Sequence, residues 1–313
     1  MSENGASPGT SPSLFDSLRA LASGELSHTR VARLSDLSRN ELAEVASFWP
    51  TIAEATRVKI VKQFETLAEE RIDVNFRRVL DIALDDASPV VRQLAIAALW
   101  EDDSSRMRDR LLDLLEQDPS PDVRAEAARA LERHAERATV SSPDPGGEGR
   151  ILSALMSAHD GDDAYIVQRR ALESLGSFSA HDRVARTIRE AFDSDDQGMR
   201  CSAIYAMGKS QQERWLPEIL QELDSDEPEV RFEAARAAGA LGSADALPLL
   251  VEAGQDDDPE VRHAAIAAIG NVGGQGARRA LERLSEDAGE ADLELIESAL
   301  DDVNEMIDPF STA

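Results

Sequence analysis

Apolar residues recur along the chain at helical spacing, in pairs of segments that short polar turns separate. Residues 111–115 carry four leucines, which fall on one face of a helix. Residues 118–121 (Asp-Pro-Ser-Pro) break the pattern, and apolar residues between 123 and 131 resume it. Each unit of the pattern is therefore predicted to be a helix, a tight turn and a second helix. Long runs of Val, Ile and Leu with a period of two are absent from the sequence, so we expect no β-sheet.

The second helix of each unit carries a marker arginine that precedes small residues three and six positions later. Clear copies place the marker at Arg92, Arg124, Arg231 and Arg262. Weaker or degenerate copies have Arg57, Gln168, Arg200 and Leu293 at the marker position. Neighbouring markers are 31 to 35 residues apart, except for one step of 44 residues between Arg124 and Gln168. A two-helix repeat at this interval predicts an all-α fold, an α-solenoid of about eight stacked antiparallel helix pairs.

The repeats divide the chain into four parts. We expect residues 1–13, which are polar and low in complexity, to form a disordered tail, and residues 14–56 to form an N-terminal cap and first repeat region. The repeat solenoid then extends over residues 57–306, and residues 307–313 are a C-terminal tail. The 44-residue step contains a stretch rich in Ser, Pro and Gly, which predicts an exposed, mobile loop inserted at 139–149. Second helices are expected to end at four glycines, Gly176, Gly208, Gly239 and Gly270.

The repeated arginines have a structural interpretation. Each clear copy follows an acidic residue of the preceding turn by six positions or so, as Arg92 follows Asp86 and Arg124 follows Asp118. Stacking of the repeats would bring these groups into a ladder of charge-assisted hydrogen bonds between turns. The predicted ladder consists of Arg92, Arg124, Arg200, Arg231 and Arg262.

The repeat, written D-x-x-P-x-V-R-x-x-A-x-x-A-L-G, resembles that of the HEAT-repeat superfamily. It is most similar to the short bacterial repeats named after phycobilisome lyases, and the resemblance covers residues 40–306. It implies a HEAT-like superhelix and a scaffold, assembly factor or binding platform, although a few relatives are enzymes. The iron site of deoxyhypusine hydroxylase requires His-Glu pairs, but none of the five histidines of this chain is followed by glutamate. Epoxyqueuosine reductase requires a cluster of cysteines, which the single Cys201 cannot supply. These motifs do not exclude the remaining enzymatic alternative, a bilin lyase.

The charge of the chain narrows the class of partner. Asp and Glu number 61 against 33 Lys and Arg, for a net charge of −28, which argues against nucleic acid because phosphates require a positive surface. No apolar segment is long enough for a signal peptide or membrane helix, so we expect a cytoplasmic protein that does not bind membranes. We also expect it to be a monomer. Acidic turns such as residues 256–258 lead directly into helices and are expected to cap them rather than bind calcium. We predict no metal, no cofactor and no catalytic residue.

The second helices of such solenoids normally line the concave face, and residues one and five positions after each marker should point into it. Five of these positions form the predicted protein-binding patch: Arg169, Tyr205, Phe232, Arg236 and His263. Aromatic and arginine side chains are frequent anchors of protein interfaces, and only 4% of the chain is aromatic. The alternative is ordinary packing between repeats, with the helix faces assigned one position off.

These patterns predict a non-catalytic protein-binding scaffold or assembly factor that uses the concave face. The identity of its protein partner is not readable from the sequence, but the acidic charge is compatible with a basic or neutral one. The alternative function is a bilin-lyase-like or chaperone subunit that acts on a cofactor-bearing protein.

Overall fold

The computed structural model describes residues 13–141, 145–286 and 288–307. Within these ranges the regular secondary structure is entirely helical, which confirms the all-α solenoid. Two helices precede the repeats, α1 (Leu14–Ala22) and α2 (His28–Ala32). Eight pairs follow: α3 (Arg39–Phe48) and α4 (Glu54–Glu70), α5 (Arg77–Ala83) and α6 (Pro89–Ala98), α7 (Ser105–Gln117) and α8 (Pro121–Ser141), α9 (Pro145–Gly161) and α10 (Tyr165–Leu175), α11 (Asp182–Phe192) and α12 (Gln197–Lys209), α13 (Leu216–Glu222) and α14 (Pro228–Leu241), α15 (Leu247–Ala253) and α16 (Pro259–Val272), and α17 (Gly274–Ser285) and α18 (Glu290–Ile307).

The sequence marker has one fixed place in the structure. In every second helix from α4 to α18 it is the fourth residue, including the degenerate copies at Arg57 and Leu293. Proline is the first residue of α6, α8, α14 and α16, where its missing N–H costs no helical hydrogen bond. The first turns therefore set the register of the repeats.

The chain divides into two compact units, residues 1–130 and 131–313. Within the first unit α4 packs on α6, and within the second unit α10, α12, α14, α16 and α18 pack on one another in sequence. In these pairs the later second helix thus covers the apolar face of the preceding one, as a solenoid requires.

The stretch that the sequence assigns to a loop at 139–149 is largely helical. Helix α8 continues to Ser141 and α9 begins at Pro145, so only residues 142–144 separate them, and these lie outside the described residues. Burial of Ile151 and Leu155 fixes α9 against its neighbours, and such packing outweighs the weak helix propensity of its Pro- and Gly-rich first turn. The tails predicted at 1–13 and 307–313 lie outside the described residues, except for Ser13 and Ile307.

The repeated glycines mark close contacts between helices rather than helix ends. Gly208, Gly239 and Gly270 lie inside α12, α14 and α16, and only Gly176 follows the last residue of its helix. A Cβ atom on Gly239 would lie 2.6 Å from the Cα atom of Ala268 on the next second helix. The expectation that all four glycines end their helices was therefore wrong, because the small residue is needed for packing at this point.

In the first unit the ladder contains a buried hub at Asp86. Its carboxylate accepts two hydrogen bonds from Arg57, at 2.7 and 2.9 Å, and one from the indole of Trp49 at 2.7 Å. It also accepts the backbone N–H of Ser88 at 2.8 Å, at the start of the next second helix. Arg92 forms the same arrangement one repeat later, with a bidentate contact to Asp118 at 2.7 and 2.8 Å.

The second unit contains the same geometry at its C-terminal end. Arg231 donates to both oxygens of Asp256 at 2.6 and 2.8 Å, and its remaining Nη1 donates to the backbone oxygen of Ser225 at 2.8 Å. Arg262 contacts Asp292 at 3.1 Å and the backbone of Asp256 at 2.9 Å. Each arginine therefore joins the turn before its own helix to an acid of the following repeat.

The ladder is looser at Arg200, whereas Arg124 keeps the backbone contact of the pattern. Arg200 contacts Glu227 at 3.3 Å and Glu222 at 3.8 Å instead of a turn aspartate. Arg124 donates to the backbone oxygen of Asp118 at 3.0 Å. Both keep the arginine at the start of its helix, but the geometry at Arg200 is looser than at Arg92 or Arg231.

Candidate protein-binding groove

A groove runs along the second helices α12, α14 and α16 of the second unit. Its volume is about 820 Å³. Small residues make up much of its floor, among them Gly208, Ala237, Ala264 and Ala268, and all four are buried. The floor is apolar because these residues carry no polar side-chain groups. Since they are also short, they leave space in which side chains of a ligand could lie.

Four of the five residues predicted for the patch line this groove: Tyr205, Phe232, Arg236 and His263. They come from three consecutive second helices, one or five positions after the marker of each. Tyr205, Phe232 and His263 are partly buried, and Arg236 is exposed. The structure therefore brings them to one surface, at the positions that the repeat register specifies.

Arg169 is the exception, because it does not line the groove. Its Nε donates to the hydroxyl of Ser202 at 2.9 Å, and that hydroxyl donates to the buried carboxylate of Glu173 at 2.8 Å. Its guanidinium also lies 5.8 Å from the centre of the Tyr165 ring. These contacts direct Arg169 toward the packing of α10 against α12.

A guanidinium, two rings and a carboxylate meet at the centre of the groove. The guanidinium carbon of Arg236 lies 5.8 Å from the ring centre of Tyr205 and 5.6 Å from that of Phe232. Its Nη1 lies 3.2 Å from a carboxylate oxygen of Glu233, whose side chain is only 13% exposed. Burial raises the pKa of Glu233 above its ordinary value, and the nearby charge of Arg236 opposes this shift.

At one end of the groove, α12 meets a residue from α8. The hydroxyl of Tyr205 lies 3.4 Å from both carboxylate oxygens of Glu132, and the ammonium of Lys209 lies 2.7 Å from one of them. Burial and the charge of Glu132 together raise the pKa of Tyr205. The contact fixes the Tyr205 ring, because its hydroxyl is held while its face remains toward Arg236.

At the other end, His263 connects the groove to the last helix pair. Its Nε2 lies 2.9 Å from Oδ1 of Asp292 on α18. A smaller cavity of about 170 Å³ begins at His263 and extends along α18 past Leu295 and Met306, which are both exposed. The two cavities share a wall, so apolar surface continues from α12 to α18.

Sequence reasoning missed the groups that surround the predicted patch. Glu233 follows Phe232 directly, and Lys209 lies nine positions after its marker, so each helix contributes more than two positions to the groove. Asn271 occupies the same ninth position on α16. Glu132 could not be found in this way, because it lies two repeats from Tyr205 in the sequence and the repeat pattern does not indicate contacts over that distance.

Two other kinds of functional feature are absent from the part of the chain that the structure describes. There, no three His, Cys, Asp or Glu side chains come together in a way that could hold a metal ion. Among the same residues, no helix combines the length and the apolar character needed to cross a bilayer.

Acidification from pH 7 to 5 should raise the melting temperature of the protein. Burial raises the pKa of Glu222 and of Glu233 above 4.5, so the folded state binds these protons more strongly than the unfolded chain. Their protonation therefore favours the folded state as the pH falls toward the raised values. Protonation also reduces the magnitude of the net charge of −28, which weakens the repulsion within the folded chain.

Below pH 4 the trend should reverse. The hydrogen bonds from Arg231 lower the pKa of Asp256 below 3.8, so the unfolded chain binds that proton first and the pair loses its stabilising effect. Thermal unfolding followed by circular dichroism at pH 7, 5 and 3 measures both changes. A melting temperature that falls steadily from pH 7 to 5 would contradict the role given to the buried glutamates, and Glu233→Gln should reduce the rise.

Comparison with known protein families identifies the repeats. The sequence matches the family of HEAT repeats over residues 77–142 and 216–301, which include the marker arginines Arg92, Arg124, Arg231 and Arg262. These two segments of the chain are HEAT repeats. Comparison with curated protein sequences gives no match.

Several solved structures of HEAT-like proteins are similar to this chain at low sequence identity. A chain in the structure of Kap95p with RanGDP is 13% identical, with a TM-score of 0.50, over 95% of this chain and 46% of that one. Human deoxyhypusine hydroxylase is 19% identical, with a TM-score of 0.37, over 85% and 96% of the two chains. The CpcE–CpcF phycocyanin lyase of Nostoc is 18% identical, with a TM-score of 0.48, over 72% and 94%.

Proposed function

We propose that this HEAT-repeat protein is a non-catalytic scaffold or assembly factor that binds another protein through the groove of α12, α14 and α16. The observation that carries the proposal is the pair of partly exposed rings, Tyr205 and Phe232, above an apolar floor in a cavity of about 820 Å³. Large aromatic side chains in a pocket are frequent anchors of protein interfaces.

The groove is suited to binding because Tyr205 is already positioned. Glu132 contacts the Tyr205 hydroxyl, and the ammonium of Lys209 pairs with Glu132 in turn. A side chain that is fixed before binding loses less conformational entropy when the partner arrives. The groove therefore offers apolar area at a small entropic cost, as a protein interface requires.

The test is a pull-down that compares wild type with the Tyr205→Ala, Phe232→Ala double variant. Loss of two ring anchors should weaken partner recovery by about tenfold or more, since one such anchor commonly contributes about 2 kcal/mol. Phe15→Ala is the matched control, because Phe15 is an exposed aromatic residue of the other unit. Circular dichroism must show that both variants remain folded.

Equal recovery of every partner by wild type and the double variant would exclude this groove as the binding site. Loss of recovery by Phe15→Ala alone would assign binding to the first unit instead. Visible absorbance in the recovered complex, retained by wild type and lost by the double variant, would indicate that the bound partner carries a chromophore.

A further inference from the structure

The two rings and the carboxylate at the centre of the groove form a receptor for a cation. Aromatic faces attract a guanidinium or ammonium within about 6 Å of the ring centre. The Arg236 guanidinium meets this criterion at both Tyr205 and Phe232, and the Glu233 carboxylate supplies the opposite charge. The chain's own arginine thus shows which chemical group these three side chains accept.

Among the described residues, Arg236 has its ion pair and ring contacts with this receptor alone. Its side chain is 49% exposed, and its hydrogen bond to Glu233 is a local pair three residues apart on α14. The ladder arginine on the same helix, Arg231, is partly buried and joins two turns through its bonds to Asp256 and Ser225. Half-exposed ion pairs of the first kind contribute little to stability, so Arg236 can leave the receptor at a small cost.

The negative charge around the groove favours a cationic ligand. The second unit carries 38 Asp and Glu against 17 Lys and Arg, a net charge of −21, whereas residues 1–130 carry a net charge of −7. Within the groove, the ammonium of Lys209 is paired with Glu132 and His263 contacts Asp292. Glu260 adds an exposed carboxylate at the edge of the groove. A positive segment would be attracted and an acidic one repelled.

The floor of the groove indicates which residues should flank the cationic residue in the bound segment. Ala237, Ala264 and Ala268 line the same groove with short apolar side chains. Neighbouring helix axes are about 8–10 Å apart, so three second helices span about 20 Å. An extended chain covers that distance with roughly six residues at about 3.3 Å each, which alternate toward and away from the floor.

We propose that the groove binds an extended segment of a basic protein, in which an arginine or lysine flanked by apolar residues displaces Arg236 from the receptor of Tyr205, Phe232 and Glu233. The proposal rests on the proposed function and adds the chemical class of the partner. Arg236 is then an internal competitor for the receptor rather than a contact to the partner.

The test measures fluorescence anisotropy with two labelled octapeptides at about 0.15 M salt, where long-range attraction is screened. One peptide alternates leucine with arginine and the other alternates leucine with glutamate. Wild type should bind the arginine peptide and not the glutamate peptide. Arg236→Ala should tighten binding of the arginine peptide about fivefold by removing the competitor, and Glu233→Gln should weaken it about tenfold.

The helix α17 provides matched controls. Arg278 is 44% exposed and pairs with Glu282 four residues away, outside the groove. Arg278→Ala and Glu282→Gln make the same changes of charge as the two test variants, so each should alter affinity less than about twofold. Equal effects of the test and control variants would show general charge attraction and would overturn the proposal.

Three results separate this proposal from the proposed function. If the glutamate peptide binds and loses affinity in Arg236→Ala, Arg236 grips an acidic partner, so the cation proposal fails while the groove stands. If neither wild type nor Arg236→Ala binds the arginine peptide, the cation proposal fails as well. If the Tyr205→Ala, Phe232→Ala variant also recovers every partner in the pull-down, both proposals fail.

Discussion

Replacement of Asp86 by alanine should lower the free energy of unfolding by about 3–5 kcal/mol, as expected when one partner of a buried ion pair is removed. The guanidinium of Arg57 is nearly buried and has its carboxylate contacts at Asp86 alone among the described residues. The indole N–H of Trp49 and the backbone N–H of Ser88 lose the same acceptor. Three donors would thus remain in the interior without their partner, and each contributes to the loss.

The adjacent residue provides the control. Asp85 is also an acid that pairs with an arginine, Arg110, but its side chain is 74% exposed against 2% for Asp86. Asp85→Ala should therefore change stability by less than about 1 kcal/mol, as for other exposed ion pairs. Urea unfolding of the full chain, followed by circular dichroism, compares the two. Similar losses for both variants would show that the hub at Asp86 has no special role.

The ladder illustrates what could be predicted from the sequence. The marker arginine recurs at a nearly constant interval, and a periodic chain must place equivalent residues in equivalent positions. The spacing of Arg92 from Asp86 indicated a contact between turns. It did not show that the carboxylate partner of Arg92 would be Asp118 of the next repeat, with Asp86 contributing only its backbone oxygen. That assignment depends on the rise of the stack.

The groove illustrates the limit of the same reasoning. Helical periodicity placed Tyr205, Phe232, Arg236 and His263 on one surface, because each helix repeats its face about every 3.6 residues. It could not foresee that Ser202 would draw Arg169 away from this surface. Contacts of this kind depend on side-chain conformation, which the position of a residue in a repeat does not determine.

The loop assigned to 139–149 was misjudged for a related reason. Its Ser, Pro and Gly content is typical of irregular structure, and composition alone gave no indication that α8 continues to Ser141. Proline at the first position of a helix and glycine in its first turn are both tolerated when apolar residues later in the helix are buried. Local propensity therefore gave the wrong boundaries where tertiary packing decided the outcome.

Gly239→Ala should destabilise the protein by about 2 kcal/mol, although alanine is the better helix former by about 1 kcal/mol. The new Cβ atom would lie 2.6 Å from the Cα atom of Ala268 and 2.7 Å from its Cβ atom, whereas carbon atoms normally approach to about 3.5–4.0 Å. Both contacts involve a neighbouring helix that cannot rotate away, so α14 and α16 must separate. Overpacking of this kind costs about 1–3 kcal/mol, or more when a backbone has to move.

Gly149→Ala tests whether the close contact with a neighbouring helix, or the Gly-to-Ala change itself, decides the direction of the stability change. Gly149 lies in α9 and is exposed, and a Cβ atom added to it would meet no other described atom within 4 Å. The substitution there should stabilise the protein by about 0.5–1 kcal/mol through helix propensity alone. Urea unfolding of both variants should thus give shifts of opposite direction. A gain in stability for both would mean that α14 and α16 can separate without cost, and that the alanine-lined floor of the groove is not set by close packing at Gly239.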